Sequence, residues 1–274
     1  MKKRKGTSPN IQEDIMLQEI EGTAPKDKGS INPPLVTVIT VVLNGVSHLE
    51  KAIQSVLGQS YENLEYIVID GGSTDGTLDI IKKYEDRIAS WISEKDTGIY
   101  DAMNKGISKA SGEIIGILNS DDWYEPEAVE IIVDQFRKHP AGGVYYGLLR
   151  VWEKEQVQSI QGNTDFLLNK YNISHPTCFI RSSVYKQFGV FDTRYRIDGD
   201  YELMLRYREN QVQFVFIERI LANFRIGGIS ITQDKKRIFE KLEIQKKYGI
   251  IKTPYFILKK LLTVLTISLY KHVS

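Results

Sequence analysis

Residues 35–43, LVTVITVVL, are β-branched and aliphatic with almost no polar position. A run of this kind is typical of a strand that is buried on both faces, as the strands of parallel sheets are. Residues 64–70, LEYIVID, and residues 113–119, EIIGILN, have the same character. We therefore expect these three segments to be neighbouring strands at the centre of a sheet.

Helical patterns separate these strands. The apolar spacing predicts a further strand over residues 88–93 and helices over residues 48–57, 74–84, 97–109 and 125–138. Ser47 and the segment Ser73-Thr74-Asp75 are the expected N-terminal caps of the first two helices, and Pro126 suits the first turn of the fourth. The alternation predicts an α/β fold with a mostly parallel, doubly wound sheet, helices on both faces, and ligands at the carboxyl ends of the strands.

The composition excludes several classes of site. The chain has 274 residues, with 36 Lys and Arg against 35 Asp and Glu, so no excess of basic residues indicates a nucleic-acid partner. Its single cysteine, Cys178, excludes a disulfide framework and a paired-cysteine zinc site. The four histidines are scattered without a metal-binding spacing. Any chemistry must therefore depend on carboxylates.

The two ends differ from the body. Residues 1–34 predict a mobile tail, because the basic cluster at residues 2–5 is followed by polar residues rather than the apolar region of a signal peptide. That cluster is either solvated or attracted to anionic lipid. Residues 254–272 are strongly apolar but interrupted by two lysines, and residues 261–270 are too few to span a bilayer. They predict either an interfacial membrane helix or a helix packed on the domain or on a partner.

Two carboxylates, Asp121 and Asp122, directly follow the buried strand that ends at Asn119. Adjacent carboxylates repel each other and are costly to bury, so a positive partner is expected. Mg²⁺ and Mn²⁺ suit oxygen ligands and are often held by one or two carboxylates together with substrate phosphates. The pattern fits a metal site, and it equally fits a solvated turn.

Two other acidic segments stand out. The segment from Asp70 to Gly76, DGGSTDG, matches neither a dinucleotide fingerprint nor a P-loop; Asp70 is either an acceptor for a base or ribose or part of an ordinary βα turn. Asp200 lies near the start of a helix, where it is either a cap or a general base. His175 lies in a strand-like segment and is more often structural than a ligand in such a place, and residues 227–230 predict a hinge or mobile loop.

Six ordered motifs within residues 35–230 together resemble family-two glycosyltransferases with the GT-A fold. They are VTVITVVLNG, VIDGGSTDGT, SEKDTGIYDAMNKGI, GILNSDDWYEP, SHPTCFIRSSVYKQFGVFD and DGDYELMLR. The DGGSTDGT form, with DTGIYDAMNKGI and a later GGIS, looks like the branch that makes colanic acid and capsular polysaccharide in bacteria. The resemblance implies one GT-A domain over residues 35–232, followed by C-terminal helices over residues 233–274.

The resemblance also implies an activity. It is the inverting transfer of a sugar from a nucleotide diphosphate to an acceptor hydroxyl, with Mg²⁺ or Mn²⁺ as cofactor. By position in the motifs, Asp122 would bind the metal, Asp121 would contact the ribose or the metal, and Asp200 would be the general base. The remaining donor-binding positions would be Val41, Leu43, Asp70, Gly71, Asn104 and Ser120.

Three departures from the family pattern keep a second interpretation open. Gly71 replaces a second aspartate, Met103 replaces an arginine, and Asn119 replaces the first aspartate of the family's DxD. The first hypothesis is a cytoplasmic enzyme, peripheral to the inner face of the plasma membrane, that builds a surface polysaccharide on a saccharide acceptor, for instance a lipid-linked one. The alternative is a non-catalytic subunit that binds nucleotide-sugar or serves in assembly, and a nucleotidyltransferase is a weaker third option.

Overall fold

The structure is a computed structural model that describes residues 33–162, 168, 172–227, 235–256 and 258. Nearly all of the predicted tail over residues 1–34 and most of the apolar segment over residues 254–272 lie outside these residues. Of the predicted hinge over residues 227–230, only the first residue is described.

The first half of the described chain alternates strand and helix, as the sequence predicts. Its elements are β1 (Val36–Val42), α1 (Leu49–Leu57), β2 (Leu64–Asp70), α2 (Thr77–Lys83), β3 (Ser90–Ser93), α3 (Ile99–Lys109) and β4 (Ile114–Asn119). These strands lie in the order β3-β2-β1-β4, and every neighbouring pair is parallel. The predicted parallel core of the sheet is confirmed.

The second half extends the sheet with mixed pairing. Its elements are β5 (Trp123–Tyr124), α4 (Ala128–Lys138), β6 (Gly142–Glu153), β7 (Gln156–Gln161), β8 (Phe179–Arg181), α5 (Ser182–Phe188), α6 (Gly199–Glu209), β9 (Gln213–Arg225) and α7 (Lys235–Lys247). Strand β8 pairs antiparallel with both β4 and β6, and β6 pairs parallel with β9. The long strands β6 and β9 were not predicted. Strand β6 is mostly buried but contains three glycines and two charged residues, and β9 mixes exposed and buried residues.

The apolar side chains form two clusters, one on each face of the sheet. Val38 of β1 packs in a cluster with α1 and α4, whereas its neighbour Ile39 packs in a cluster with α3 and α6. Successive strand residues point to opposite faces, so a strand with apolar residues throughout can contribute to both clusters. All seven residues of β1 are buried, which explains the unbroken apolar run in the sequence.

Some local predictions were wrong. Ser47 is not the cap of α1, because the N-cap position is His48 and the preceding turn is closed by backbone bonds to the Gly45 carbonyl. Asp75 keeps part of the predicted capping role, since its Oδ1 accepts from Thr77 N at 3.0 Å. His175 lies in a 3-10 turn, His175–Thr177, rather than in a strand.

Helix α4 begins at Ala128, so Pro126 lies in the turn before it rather than in its first turn. No described helix is long and apolar enough to cross a membrane.

Candidate active site

Asp70, at the carboxyl end of β2, is fully buried and hydrogen-bonded within its own loop. Its Oδ2 accepts from Gly72 N at 3.1 Å, Ser73 N at 3.0 Å and Ser93 Oγ at 2.6 Å. Its Oδ1 accepts from Ser73 Oγ. These bonds fix the shape of the turn before α2, and the full burial of the side chain keeps its oxygens away from a ligand. The predicted contact between Asp70 and a nucleobase or ribose therefore does not fit its geometry.

A second carboxylate, that of Asp96, lies beside Gly71. A Cβ added to Gly71 would collide with Asp96 Oδ2 and would lie 3.5 Å from Leu43 Cδ1. Asp96 is half-buried, and its Oδ1 accepts from Gly98 N at 2.9 Å. The acidic group that the family pattern places at position 71 is thus absent there, and Asp96 supplies a carboxylate to the same space. Sequence reasoning missed Asp96, although it lies in one of the quoted motifs.

The turns after β1 and β2 are joined by hydrogen bonds. Asn44 has a φ of 52°, its backbone N–H donates to Ser73 Oγ at 2.7 Å, and its Oδ1 accepts from Thr74 N at 2.9 Å. Of the two residues predicted beneath a base, Val41 is buried in the core, whereas the Leu43 side chain is 57% exposed. Leu43 is therefore the available apolar surface at this edge of the sheet.

The two carboxylates after β4 have different environments. Asp122 is 1% exposed; its Oδ1 accepts from Arg225 N at 3.2 Å, and its Oδ2 accepts from Asn119 Nδ2 at 3.3 Å. Burial, with the charge of Asp121 next to it, raises the pKa of Asp122 well above its usual range. Asp121 is only half-buried. This geometry runs against the predicted role of Asp122 as the metal ligand, because its carboxylate connects β4 to β9 and Asp121 is the more accessible of the two.

Asp121 also has cationic neighbours. Burial raises its pKa, and the charges of His48 and Arg225 oppose that shift. Ser120 packs next to the turn before α1, with its Oγ 3.1 Å from where a Cβ on Gly45 would lie. Asp121 is thus held at a point where basic residues and the ends of β1 and β4 meet.

The donor set at the end of β4 fits a hard divalent cation that shares its ligands with a substrate. Asn119 Oδ1 is buried and has no hydrogen-bond partner in the structure, and Asp121 provides a carboxylate nearby in the chain. Amide and carboxylate oxygens are suitable ligands for Mg²⁺ and Mn²⁺. Within the described part of the chain, no three His, Cys, Asp or Glu side chains cluster as a complete metal site. Substrate oxygens would therefore have to complete the coordination.

Trp123 follows this turn, and two cationic side chains lie over its ring. The sequence alone did not indicate this group. Lys51 Nζ lies 3.3 Å from the centroid of the Trp123 ring, and the Arg225 guanidinium lies 5.4 Å from it. Partial burial and the charge of Arg225 lower the pKa of Lys51. Arg225 Nε is buried and has no hydrogen-bond partner among the residues that the structure describes. Two cations gathered in this way favour an anionic ligand near Asp121.

A cavity of about 680 Å³ opens on the α3 and α6 side of the sheet. Asn119 lines it, so the cavity begins at the end of β4 where the acidic turn starts. Its wall combines apolar, cationic and polar side chains. They include Leu149, Val151, Phe224 and Ile226, the cations Arg196, Arg237 and Lys241, and Tyr100, Asn172, His175 and Asp200.

Asp200 is the carboxylate in this cavity. Asn172 Nδ2 donates to its Oδ2 at 2.7 Å, and Tyr201 N donates to its Oδ1 at 2.8 Å. The Tyr100 hydroxyl accepts from Asp200 N at 3.3 Å and donates to the Ile197 carbonyl at 2.6 Å. Burial raises the pKa of Asp200. A held carboxylate with a raised pKa is suited to accept a proton from a bound hydroxyl.

Three nearby groups have structural roles. His175 is buried, its ring lies edge-on to Phe191 at 5.5 Å, and burial lowers its pKa to about 4, so the ring is neutral at pH 7. Asn104 does not face a donor, because it exchanges hydrogen bonds of 2.8 and 3.0 Å with the backbone of Phe191. Asp198 is buried 3.5 Å from Arg237 Nε, and burial raises its pKa to about 6, with the charge of Asp200 adding to the shift.

The structure therefore divides the predicted site residues. Leu43, Gly71, Ser120 and Asp121 lie at the carboxyl ends of β1, β2 and β4, and Asp200 lies in the adjoining cavity. Four other predicted residues have side chains that pack or hydrogen-bond within the protein, and they are Val41, Asp70, Asn104 and Asp122.

Comparisons with known proteins identify the family of the chain. The profile of glycosyl transferase family 2 matches residues 37–188. An uncharacterized glycosyltransferase of Mycobacterium tuberculosis (strain ATCC 25618 / H37Rv) is 32% identical over 218 residues, which cover 76% of this chain and 82% of the relative. A PGL/p-HBAD biosynthesis glycosyltransferase of Mycobacterium bovis (strain BCG / Pasteur 1173P2) is 27% identical over 223 residues, covering 79% and 87%.

Solved structures share the fold. Residues 1–349 of S. aureus TarS, in complex with UDP-GlcNAc, match with a TM-score of 0.64 and 15% identity, covering 85% of this chain and 73% of that one. The mannosyltransferase PcManGT from Pyrobaculum calidifontis, in complex with GDP-Man and Mn²⁺, matches with a TM-score of 0.61 and 17% identity, covering 84% and 68%. With a family profile that spans more than half of its length, this chain belongs to glycosyl transferase family 2, and its fold is GT-A.

Proposed function

We propose that this protein is an inverting glycosyltransferase that moves a sugar from a nucleotide-diphospho-sugar to an acceptor hydroxyl. The observation that carries the proposal is the position of Asp200, a held carboxylate of raised pKa in a cavity that begins at Asn119. A donor bound at the ends of β1, β2 and β4 would direct its sugar into that cavity. Donor and acceptor sites would then adjoin, as a direct transfer requires.

The donor side has groups suited to the base and to the diphosphate of a nucleotide-sugar. Asp96 Oδ2, next to the exposed Leu43 side chain, is placed to accept a hydrogen bond from a ring N–H of the base. Asp121 and the Asn119 amide would hold Mg²⁺ or Mn²⁺, which when bound neutralises charge on the leaving diphosphate. Arg225 and Lys51 add positive charge on the same side. The structural neighbours include complexes with UDP-GlcNAc and with GDP-Man and Mn²⁺, which supports a donor of this class.

The acceptor side provides the proton acceptor. Asp200 takes the proton of the acceptor hydroxyl as its oxygen bonds to the anomeric carbon and the bond from that carbon to the diphosphate breaks. Asn172 holds one carboxylate oxygen and leaves the other directed by the Tyr201 amide. A single displacement of this kind inverts the configuration and needs no enzyme nucleophile.

The wall of the cavity suits an acceptor that is partly apolar and partly anionic. Phe224 and Ile226 give an apolar side, while Arg196 and Lys241 give a cationic one. A saccharide linked to a lipid through phosphate has both properties. We infer that the acceptor is lipid-linked and that the product belongs to a bacterial surface polysaccharide, with colanic-acid or capsular material as the pathway that the motifs resemble. Such an enzyme would work in the cytoplasm at the inner face of the plasma membrane, in peripheral contact with it.

The test uses the full chain with Mn²⁺ and a panel of UDP-, GDP- and dTDP-sugars. We expect saturable binding of one donor, slow hydrolysis of it without acceptor, and transfer to a short-chain lipid-linked saccharide. If no donor binds, the proposal fails. If a donor binds but is neither hydrolysed nor transferred, and Asp200→Asn behaves like the wild type in binding and turnover, the protein is better described as a non-catalytic subunit.

A further inference from the structure

Three successive backbone N–H groups in the loop before α6 point at one carboxylate. Arg196 N donates to Glu240 Oε2 at 2.9 Å, while Ile197 N and Asp198 N donate to Glu240 Oε1 at 2.8 and 2.7 Å. Glu240 belongs to α7, more than 40 residues further along the chain. Hydrogen bonds to an ionised acceptor are shorter and stronger than those between neutral groups, so this contact fixes the loop firmly.

Other side chains join the same two helices. Arg237 of α7 lies 3.5 Å from Asp198 Oδ1. Lys247 Nζ and the Tyr248 hydroxyl donate to the buried Glu202 at 2.8 and 2.7 Å. The contacts of Glu202 attach α7 to the body of α6, whereas Arg237 and Glu240 both reach the loop that leads into it. Glu240 accepts three backbone hydrogen bonds from this loop, so its loss would affect the start of α6 most directly.

The loop that Glu240 binds is continuous with the site of the general base. The Tyr100 hydroxyl, which contacts Asp200 N at 3.3 Å, donates to the carbonyl of Ile197 at 2.6 Å. Asp200 follows two residues after the last N–H that Glu240 accepts. A shift of this loop would change both the Tyr100 contact and the direction of the Asp200 carboxylate. Glu240 itself does not line the cavity wall near Asp200, so it has no contact with an acceptor there.

We propose that Glu240 is a positioning residue for Asp200, acting through the backbone of residues 196–198. The inference rests on the proposed function, because it assumes that Asp200 is the base. A misplacement of about 1 Å at a reacting group costs about 10²-fold in rate. Glu240→Ala should therefore lower kcat of transfer by about 10²-fold while the Kd for the donor stays unchanged.

The geometry also predicts which of two variants at Glu240 is the more active. In Glu240→Gln, Oε1 can still accept from Ile197 N and Asp198 N, and only the bond from Arg196 N is lost. The Gln variant should therefore keep most of the activity that the Ala variant loses. Glu243→Ala, at an exposed position of the same helix, is the matched control and should leave kcat unchanged.

A double-mutant cycle separates positioning from general destabilisation. If Glu240 acts through Asp200, Glu240→Ala should cause no further loss in an Asp200→Asn background. A ¹³C NMR titration of the Asp200 carboxyl needs no acceptor; its pKa, raised by burial, should return toward the ordinary range in Glu240→Ala and stay raised in Glu243→Ala.

Several results would overturn the inference. They are a wild-type kcat in Glu240→Ala, equal losses in both backgrounds, or an Asp200 pKa that does not move. If the Ala variant does not fold, kcat of Glu240→Gln decides: a partly reduced kcat with the donor Kd unchanged supports positioning, whereas a wild-type kcat, or a loss matched by weaker donor binding, opposes it. Full transfer by Asp200→Asn would instead refute the proposed base, whatever Glu240 does.

Discussion

The two sides of the candidate site are built in different ways. On the donor side, the turns after β1 and β2 bind each other across about 30 residues of chain, and most of their carboxylate oxygens serve the turns themselves. On the acceptor side, Asp200 is held by Tyr100 and Asn172 from separate elements, and Glu240 fixes the loop before it. The polar residues of the first side follow buried apolar strands, whereas those of the second lie in segments that no such strand directly precedes.

The strongest test of this difference is Asp200→Asn. The amide keeps the size of the side chain but cannot take a proton, and general base catalysis contributes typically about 10²–10⁴-fold. We expect kcat of transfer to fall by about that factor, with the Kd of the donor unchanged in calorimetry. Asp192→Asn is the control, because Asp192 forms an ion pair with the exposed Arg194 in the loop before α6.

Equal losses of transfer in Asp200→Asn and Asp192→Asn would mean that the whole loop, rather than the base, was disturbed. A loss of donor affinity in Asp200→Asn would place this carboxylate on the donor side and remove the division between the two sides.

The second test compares the two carboxylates after β4. Asp121→Asn should lower kcat by about 10²–10³-fold, the size expected when a group that stabilises developing charge is lost, and should weaken the dependence of UDP binding on Mn²⁺. Asp122→Asn should mainly lower the melting temperature, because this side chain is 1% exposed and bonded to Asn119 and the Arg225 backbone. Calorimetry with and without Mn²⁺ and thermal unfolding of both variants measure the difference.

If Asp122→Asn abolished the Mn²⁺ dependence at an unchanged melting temperature, the metal would belong to Asp122. The assignment that the family resemblance implied would then be right, and the assignment drawn from burial would be wrong.

The sequence predicts for a physical reason which edge of the sheet carries the polar residues of the donor side. Parallel strands buried on both faces give unbroken apolar runs, and the polar residues that follow each run must lie at one edge of the sheet. The same sequence could not show how each carboxylate is used. Asp70 and Asp96 both lie in the quoted motifs. Only the structure shows that the Asp70 carboxylate is hydrogen-bonded within its own turn and that Asp96 occupies the space next to Gly71.

The acceptor side was less predictable because its strands show no unbroken apolar run and its polar residues follow no such run. Strand β6 is mostly buried but is interrupted by three glycines and by Arg150, and strand β9 mixes exposed and buried residues. Asn172 contacts Asp200 and Glu240 contacts the Asp198 backbone, and neither comes directly after a buried strand that would mark its place. The residues alone left Asp200 as either a helix cap or a general base, and only the family resemblance favoured the second.

A third test uses the stability of the acceptor side against pH. Burial raises the pKa of Asp198 to about 6, above its value in the unfolded chain, so the folded state binds this proton more tightly. The stabilisation that the protonated Asp198 gives the folded state is therefore present below about pH 4 and is lost as pH rises through about 6. Relative to Asp198→Asn, the free energy of unfolding of the wild type should fall by roughly 2–3 kcal/mol over this interval.

Urea denaturation at several pH values measures this change. Relative to Asp192→Asn, the free energy of unfolding of the wild type should instead rise with pH. The hydrogen bond from Arg194 lowers the pKa of Asp192, so the stabilisation from this carboxylate is lost as pH falls. A pH dependence in Asp198→Asn identical to that of the wild type would contradict the raised pKa.

The smallest expected effect concerns the base of the donor. Asp96 Oδ2 lies beside Gly71 and the exposed Leu43, so a ring N–H of uracil, thymine or guanine can donate to it. A hydrogen bond to a charged group contributes about 1.5–3 kcal/mol, so Asp96→Ala should weaken binding of the matching nucleoside diphosphate by about tenfold or more. N3-methyl-UDP lacks this N–H, and for a uracil-specific enzyme Asp96→Ala should not weaken its binding further. An equal loss for UDP and N3-methyl-UDP would show that Asp96 only supports the turn through Gly98 N, and the donor side would then leave no carboxylate for the base.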